Sequence, residues 1–249
     1  MSVTVPTERA ETARARMLDL FPEGFEERED DNSVELIAYT SGDGEERLWQ
    51  AFGAAETADV ESGWEDRWRT FHRPVVVGGL WIGPPWEAPD DGFPAVTIDP
   101  GRAFGTGAHP TTRLCVELLA ARPAGSVLDV GCGSGVLAIA AALLGHGPVT
   151  ALDHDPIAIE VTQENAAANG VELETIVLDA STGELPAADL VLANIAPEPV
   201  AALSGRLRCR AAITSGYLAS DRPALAGFEV EERLEHDGWA ADLHLPRPQ

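Results

Sequence analysis

The stretch "SVLDVGCGSGVLAIAAAL", residues 126–143, decides the fold of this chain. It opens with a short run of apolar and β-branched residues, which is typical of a buried strand. Three glycines then fall within five positions, at Gly131, Gly133 and Gly135. The apolar residues after them have the density of a buried helix. A strand, a glycine turn and a helix in this order predict a βα unit whose turn lets a ligand approach the main chain closely.

The alternation of strands and helices continues after this unit. Strands are predicted at 149–153, 174–180, 188–195 and 210–218, and the helix between the first two ends at Gly170. Repeated β-α-β units predict a doubly wound, mostly parallel sheet of the α/β class. The last two strands, "GFEVEERLEHDG" and "WAADLHL", are joined by His-Asp-Gly and predict an antiparallel hairpin at the sheet edge. The hairpin brings the sheet to seven strands.

The residues before Pro74 have a different character. Residues 1–61 are rich in Asp and Glu and predict a small acidic α+β domain. An amphipathic linker helix is predicted over residues 62–75, and the α/β domain over residues 76–249. Within the first domain, the patterns predict two helices, at 7–21 and 42–52, and a strand at 33–40.

The spacing of the glycines narrows the kind of ligand. The dinucleotide-binding fingerprint G-x-G-x-x-G would need a third glycine where this chain has Val136, so a dinucleotide oxidoreductase is nearly excluded. The chain instead has D-x-G-x-G-x-G, from Asp129 to Gly135. Asp153 follows Gly131 by 22 residues and ends the next strand. A carboxylate there can accept both hydroxyls of a ribose, so the pattern predicts a nucleoside ligand.

The charge of the chain bears on its partners. The 249 residues carry a formal net charge of −24, and all 17 basic residues are arginine. Such a surface repels nucleic-acid phosphates and anionic lipid, and it attracts cationic partners. We therefore expect no direct nucleic-acid or membrane binding. The alternative is that the acidity serves only solubility or adaptation to salt.

Cysteine usage and apolar runs indicate the compartment. Cys115, Cys132 and Cys209 are odd in number and form no Cys-x-x-Cys pair, which predicts a reducing environment without a zinc or other metal site. The first residues contain no apolar signal core. The longest apolar run, at 136–144, is nine residues and too short to span a bilayer. These observations predict a cytoplasmic protein.

Three stretches resemble known families. D-x-G-x-G-x-G with an acid at the next strand end is similar to the S-adenosylmethionine site of class I methyltransferases. "DPGRAFGTGAHPTTRLCVELL", residues 99–119, closely resembles the signature loop of the PrmA family, bacterial methyltransferases of large-subunit ribosomal protein eleven. "NIAPEPV", which begins at Asn194, looks like that family's Asn-Ile turn. The resemblance covers about residues 61–249.

The resemblance implies a protein N-methyltransferase that uses S-adenosylmethionine. It implies a basic substrate, a large-subunit ribosomal protein methylated on lysine or N-terminal amines, and a substrate-recognition role for residues 1–61. Phe104 and Thr106 are expected to shape the methionine end of the cofactor site, and Asp179 to lie near the adenine. The cofactor-site residues that it implies are Phe104, Thr106, Thr112, Asp129, Gly131, Gly133, Gly135, Asp153, Asp179 and Asn194.

Asn194 is also the expected catalytic residue. A sulfonium methyl group is already electrophilic, so the enzyme must hold an amine in line with it and exclude water. The carbonyl oxygen of Asn194 can accept a hydrogen bond from that amine. A desolvated pocket beside a cation lowers the pKa of an amine, so no general base is required. His109, next to Pro110 at a helix start, is either a base or a residue that fixes the loop.

Two departures from the family pattern leave the substrate open. The N-terminal domain is short and unusually acidic, and only about sixteen residues separate Asn194 from the next strand, which trims the helix there. Both parts could set substrate choice. The alternatives are a divergent methyltransferase of another protein or a small molecule, and a binding module that has kept the fold and lost turnover.

Overall fold

A computed structural model describes residues 2–10, 13, 16, 17, 20, 26–30, 33–38, 47, 48, 51, 52, 73–99 and 107–247. The chain divides into two compact units, Met1–Arg67 and Trp68–Gln249. The predicted linker helix over residues 62–75 lies almost wholly outside the described residues. Directly after Pro74, Val75 begins a strand.

The first unit contains an antiparallel sheet in the order β1-β3-β2. Its strands are β1 (Ser2–Pro6), β2 (Glu26–Asp30) and β3 (Ser33–Ile37). Helical residues at 10, 13, 16, 17, 20, 47, 48, 51 and 52 fall within the two predicted helices. Only β3 was predicted among the strands. The sequence of β2, EERED, has no alternation of apolar and polar residues. It is a strand only because its main chain pairs with that of β3.

The second unit holds a three-stranded and a seven-stranded sheet among residues 73–99 and 107–247. The small sheet contains β4 (Val75–Val77), β5 (Leu80–Gly83) and β6 (Ala95–Thr97). The large sheet contains β7 (Val127–Val130), β8 (Val149–Asp153), β9 (Glu174–Val177), β10 (Leu190–Asn194), β11 (Ala211–Leu218), β12 (Phe228–His236) and β13 (Trp239–Pro246). The helices between them are α1 (Pro110–Ala120), α2 (Val136–Leu143), α3 (Pro156–Ala168) and α4 (Pro197–Ala202).

The large sheet has the order β12-β13-β11-β10-β7-β8-β9. Strands β7 to β11 run parallel, and β13 and β12 pair antiparallel at one edge, which confirms the predicted mostly parallel sheet with an edge hairpin. From β7 the chain moves outward through β8 and β9, then returns to β10 on the other side of β7. A crevice therefore opens beyond the carboxyl ends of β7 and β10, where ligands bind in such sheets.

Local sequence signals begin and end these elements. His109 caps α1, where its Nδ1 accepts a hydrogen bond from the Thr111 amide at 3.3 Å, and Pro110 is the first helical residue. Asp155 caps α3 in the same way through the Ile157 amide at 2.9 Å. Asp237 and Gly238 both have positive φ, at 50° and 78°, as a two-residue hairpin turn requires.

Helix α2 forms the centre of the core. Its eight residues, VLAIAAAL, include six that are buried, Val136 to Ala141. It packs against β7 and β8 of the sheet and against α1 and α3. In the described parts of the chain, no helix combines the length and the apolar character needed to cross a bilayer.

Candidate functional site

A cavity of about 1070 Å³ opens at the predicted crevice, beyond the carboxyl ends of β7 to β10. The sheet order brings its walls together from segments that are far apart in the sequence. Of the residues predicted for the site, those that line this cavity are Thr112, Asp129, Gly131, Gly133, Asp153, Asp179 and Asn194. Phe104 and Thr106 lie outside the described residues.

The glycine turn presents its main chain to the cavity. Gly131 and Gly133 have φ of 72° and 54°, a region that glycine adopts without strain. The amides of Gly131 and Cys132 both donate to the carbonyl of Leu152, at 2.8 and 3.0 Å, which ties the turn to β8. A Cβ on Gly131 would lie 2.6 Å from Ile195 Cγ2, so no other residue fits.

Gly135 has a different role from the other two glycines. It does not line the cavity, and a Cβ there would lie 2.8 Å from Thr162 Cγ2 on α3. It is also the N-cap residue of α2, with φ of 80°. Glycine is therefore needed at this position for the helix start and for the close approach of α3.

Asp153 stands at the end of β8 beside the glycine turn. Its Oδ2 accepts a hydrogen bond from the Gly133 amide at 3.1 Å, and its Oδ1 accepts one from the Asp155 amide at 3.0 Å. The residue is only 8% exposed, so the carboxylate is fixed in direction. Oδ1 also lies 3.3 Å from Nδ1 of the exposed His154, whereas Oδ2 keeps a second lone pair as an acceptor for a ribose hydroxyl in the cavity.

Asp179 follows β9 on the opposite side of the cavity from Asn194. Its Oδ1 accepts hydrogen bonds from the amide and the hydroxyl of Ser181, at 2.8 and 2.6 Å. These bonds hold the pKa of the carboxyl below its usual value. The carboxylate therefore stays ionised and organises its own turn at the cavity rim.

Asp129 is a buried acid beneath the glycine turn. It is 1% exposed and accepts a hydrogen bond from the Ala138 amide at 3.1 Å, in the first turn of α2. Burial raises its pKa to about 7, and the nearby charge of Asp153 acts in the same direction. Near neutral pH the group exists in both protonation states. A cation in the cavity would favour its ionised form.

Asn194 ends β10 at the other wall of the cavity. Its Nδ2 donates to the hydroxyl of Thr112 on α1 at 3.3 Å. This bond uses one of the two amide hydrogens and fixes the plane of the side chain, and Oδ1 is the atom of the amide that can accept a hydrogen bond from a ligand. The two residues are 82 positions apart, and only the packing of α1 beside β10 brings them together.

His109 and Trp239 form an aromatic corner of the same cavity. Their rings meet edge to face, with centroids 4.8 Å apart. Partial burial lowers the pKa of His109, so its imidazole is neutral at physiological pH. Nδ1 serves the helix cap, and this contact favours the loop-fixing alternative for His109.

Known proteins resemble this chain along nearly its whole length. A family model described as "Ribosomal protein L11 methyltransferase (PrmA)" matches residues 7–243. The chain belongs to the PrmA family. The ribosomal protein L11 methyltransferase of Methylococcus capsulatus is 40% identical over 246 residues, which cover 91% of this chain and 80% of that protein. That of Symbiobacterium thermophilum is 37% identical over 201 residues, 74% of this chain and 66% of that protein.

A solved structure supports the same family. The crystal structure of the ribosomal protein L11 methylase from Lactobacillus delbrueckii subsp. bulgaricus is 29% identical, with a TM-score of 0.61. It covers 68% of this chain, which in turn covers 96% of that one. The resemblance to PrmA, the class I methyltransferase fold and the assignment as a methyltransferase are thereby confirmed.

Sequence patterns missed several residues of the PrmA cavity. Gly216 and Trp239 lie on β11 and β13, and Glu198 follows β10. Gly216 had one usable signal, a glycine inside a predicted strand, which often marks a bulge or a close approach of main chain. Trp239 had no such signal, because a tryptophan at the start of a hairpin strand is equally well explained by packing in the core.

Proposed function

We propose that this chain transfers methyl groups from S-adenosylmethionine to amino groups of ribosomal protein L11, the substrate in the names of its PrmA relatives. The observation that carries the proposal is that the glycine turn, the Asp153 carboxylate and the Asn194 amide line one cavity. The first two suit a nucleoside, and the third suits an amine. Membership of a methyltransferase family supplies the reaction type.

The described residues fit S-adenosylmethionine. Gly131 leaves its main chain bare at the cavity wall, Asp153 offers acceptors to a ribose, and Asp129 offers a negative charge to a cationic ligand. The cavity of about 1070 Å³ lies at the upper limit of ordinary ligand sites, roughly 300–1,000 Å³. That size leaves room for an amine side chain beside the cofactor.

When bound, S-adenosylmethionine supplies a methyl group that its sulfonium sulfur has already activated. The chain then has to bind, orient and desolvate. Thr112 holds the Asn194 amide by the 3.3 Å bond to Nδ2, so Oδ1 faces the incoming amine and fixes its lone pair in one direction. Removal of water from the amine lowers its pKa, since the ammonium form loses its solvation.

The buried acid predicts a pH dependence. Because the pKa of Asp129 is raised to about 7, the folded chain keeps a proton that the unfolded chain would lose near the ordinary carboxyl pKa of 3.8. Ionisation therefore costs stability of the free chain as pH rises between these values. The same ionisation favours a cationic ligand. We expect the affinity for S-adenosylmethionine to rise across pH 6 to 8 more steeply in the wild type than in Asp129→Asn.

Calorimetry at pH 6, 7 and 8 on both proteins checks this expectation. The ligand's own titration is identical in the two series, so the difference between them reports Asp129 alone. Parallel pH profiles would show that Asp129 does not sense the cofactor.

The proposed reaction is tested with purified ribosomal protein L11 and radiolabelled S-adenosylmethionine. We expect the full chain to label L11 on amino groups. We also propose that residues 1–61 recognise the protein substrate, since the described cofactor-site residues lie after residue 107. A chain that starts at Glu61 should therefore bind S-adenosylmethionine with unchanged affinity and lose transfer to L11.

The shortened chain carries its own control, because cofactor binding reports whether its cavity is folded. Undiminished labelling of L11 by that chain would remove the recognition role of residues 1–61. Cofactor binding by the full chain without any labelling of L11 would overturn the proposed substrate and leave the cofactor assignment intact.

A further inference from the structure

Strand β11 carries a bulge directly beneath the turn that follows Asn194. Its register against β13 shifts between Ser215 and Tyr217, and the residue between them, Gly216, has φ of 98°. A Cβ on Gly216 would lie 2.3 Å from the carbonyl oxygen of Ile195. The Ile195 amide in turn donates to the Ser215 carbonyl at 3.0 Å. The position of the bulge therefore determines the position of the Ile195 main chain, next to Asn194.

A chain of buried polar groups spans the bulge. The Tyr217 hydroxyl lies 2.7 Å from Thr214 Oγ1 and 2.9 Å from Asp242 Oδ2 on β13. Thr214 Oγ1 lies 2.8 Å from His244 Nε2. The Tyr217 hydroxyl also lies 3.0 Å from the Thr214 carbonyl, but the carboxylate is the stronger acceptor, so the hydrogen bonds run from His244 through Thr214 and Tyr217 to Asp242. Thr214 precedes the bulge and Tyr217 follows it, and their contact fixes its width.

An arginine completes this chain on β12. Arg233 pairs with Asp242 Oδ2 at 3.0 Å and donates to the carbonyls of Ala219 and Asp221, at 3.1 and 2.8 Å. The Asp242 side chain is 1% exposed and that of Arg233 is 14% exposed. Arg233 thus links the segment after β11 to the same carboxylate that holds Tyr217.

Stability alone is a weak reason for such an arrangement. Buried ion pairs and hydroxyls lose solvation, and apolar residues of the same shape serve a core equally well or better. Bulges with positive φ persist where surrounding contacts over-determine them, and they often re-aim a side chain beside an active site. The cavity begins at Gly216, whereas Tyr217 and Asp242 do not line it.

We propose that Tyr217, held by Thr214 and Asp242, is a positioning residue for methyl transfer, which acts on Asn194 through the Gly216 bulge. The proposal rests on the proposed role of Asn194 as the group that orients the amine. Tyr217 touches neither the cofactor nor the substrate. Its loss lets the bulge relax and moves the Asn194–Ile195 turn, while the Asp153 side of the cavity stays in place.

Tyr217→Phe tests this directly, because it removes one oxygen and keeps the ring. We expect kcat for L11 methylation to fall about 10- to 100-fold, since a displacement near 1 Å at a reacting group costs about that much. The Kd of S-adenosylmethionine should stay within about twofold of the wild type. Thr214→Val, which breaks the same chain without changing the side-chain shape, should give the same split if Tyr217→Phe folds poorly.

Ser126→Ala is the matched control at the other end of β10. Ser126 Oγ donates to Asp189 Oδ2 and accepts from the Asp189 amide, both at 2.8 Å, and neither residue lines the cavity. We expect it to lower the melting temperature about as much as Tyr217→Phe and to leave kcat unchanged. Wild-type kcat in both Tyr217→Phe and Thr214→Val would overturn the proposal. An equal fall of kcat in Ser126→Ala would overturn it too, because the loss would then follow stability.

Asn194→Ala is measured in the same series to separate the two proposals. A low kcat in Asn194→Ala with normal kcat in both Tyr217→Phe and Thr214→Val contradicts only the positioning role of Tyr217. Normal kcat in Asn194→Ala removes the proposed role of Asn194, and with it the basis for any action of Tyr217 upon it.

Discussion

Asn194→Ala is expected to lower kcat for methylation of L11 by about 100- to 1000-fold, the range for loss of one preorganised hydrogen-bonding group at a reacting centre. The amide is fixed by its bond to Thr112 at 3.3 Å and stands at the end of a buried strand. In its proposed role it would therefore orient the amine without reorganising during the reaction. Single-turnover kinetics with saturating S-adenosylmethionine measure the effect on the chemical step.

Asn194→Asp is the informative companion. It keeps an acceptor oxygen toward the amine and loses the Nδ2 donor to Thr112, so we expect a kcat between those of the wild type and the alanine variant. The added negative charge should give no gain in kcat beyond that given by the acceptor oxygen. A wild-type rate in Asn194→Ala would place the orientation of the amine elsewhere in the cavity.

Asp153→Ala is expected to weaken S-adenosylmethionine binding by about 1–3 kcal/mol, the cost of leaving buried polar partners unpaired. That range corresponds to a rise in Kd of about 5- to 150-fold. The variant removes the acceptors for the ribose, and it also frees the Gly133 amide, which Asp153 Oδ2 holds at 3.1 Å. Both losses weaken the proposed cofactor site. Titration calorimetry on the folded variant measures the change.

Asp155→Ala is the matched control, two residues further on. Asp155 caps α3 through the Ile157 amide at 2.9 Å and does not line the cavity. Its removal should cost about 0.5–2 kcal/mol of stability and leave the Kd unchanged, since its own amide still donates to Asp153. An unaltered Kd in Asp153→Ala would mean that another group holds the ribose.

Local patterns predicted most of the second unit. The seven strands of its large sheet, the start of α1 at Pro110 and the hairpin turn at Asp237 follow from periodicity and turn residues within a few positions. The first unit was predicted less completely. β2 has only charged residues, and β1 is a short terminal run, so both are strands because β3 offers its two edges for pairing.

The candidate site divides in the same way. Gly131, Gly133 and Asp153 were predictable because a strand, a turn and the next strand of one βα unit lie together whatever the rest of the chain does. Gly135 carries the same positive φ as its neighbours, yet it faces Thr162 of α3 and not the cavity. The sequence shows that a glycine is required there, and the packing shows for which neighbour.

The sequence by itself determined the order of elements, the glycine turn and the family, because main-chain conformation and apolar periodicity are encoded in neighbouring residues. Only the tertiary structure decided which distant side chains meet. Trp239 reaches His109, and Gly216 lies against Ile195, because β11 and β13 are laid beside β10 in the sheet. Strand order depends on how whole elements bury their apolar faces together, and no short stretch of sequence contains that information.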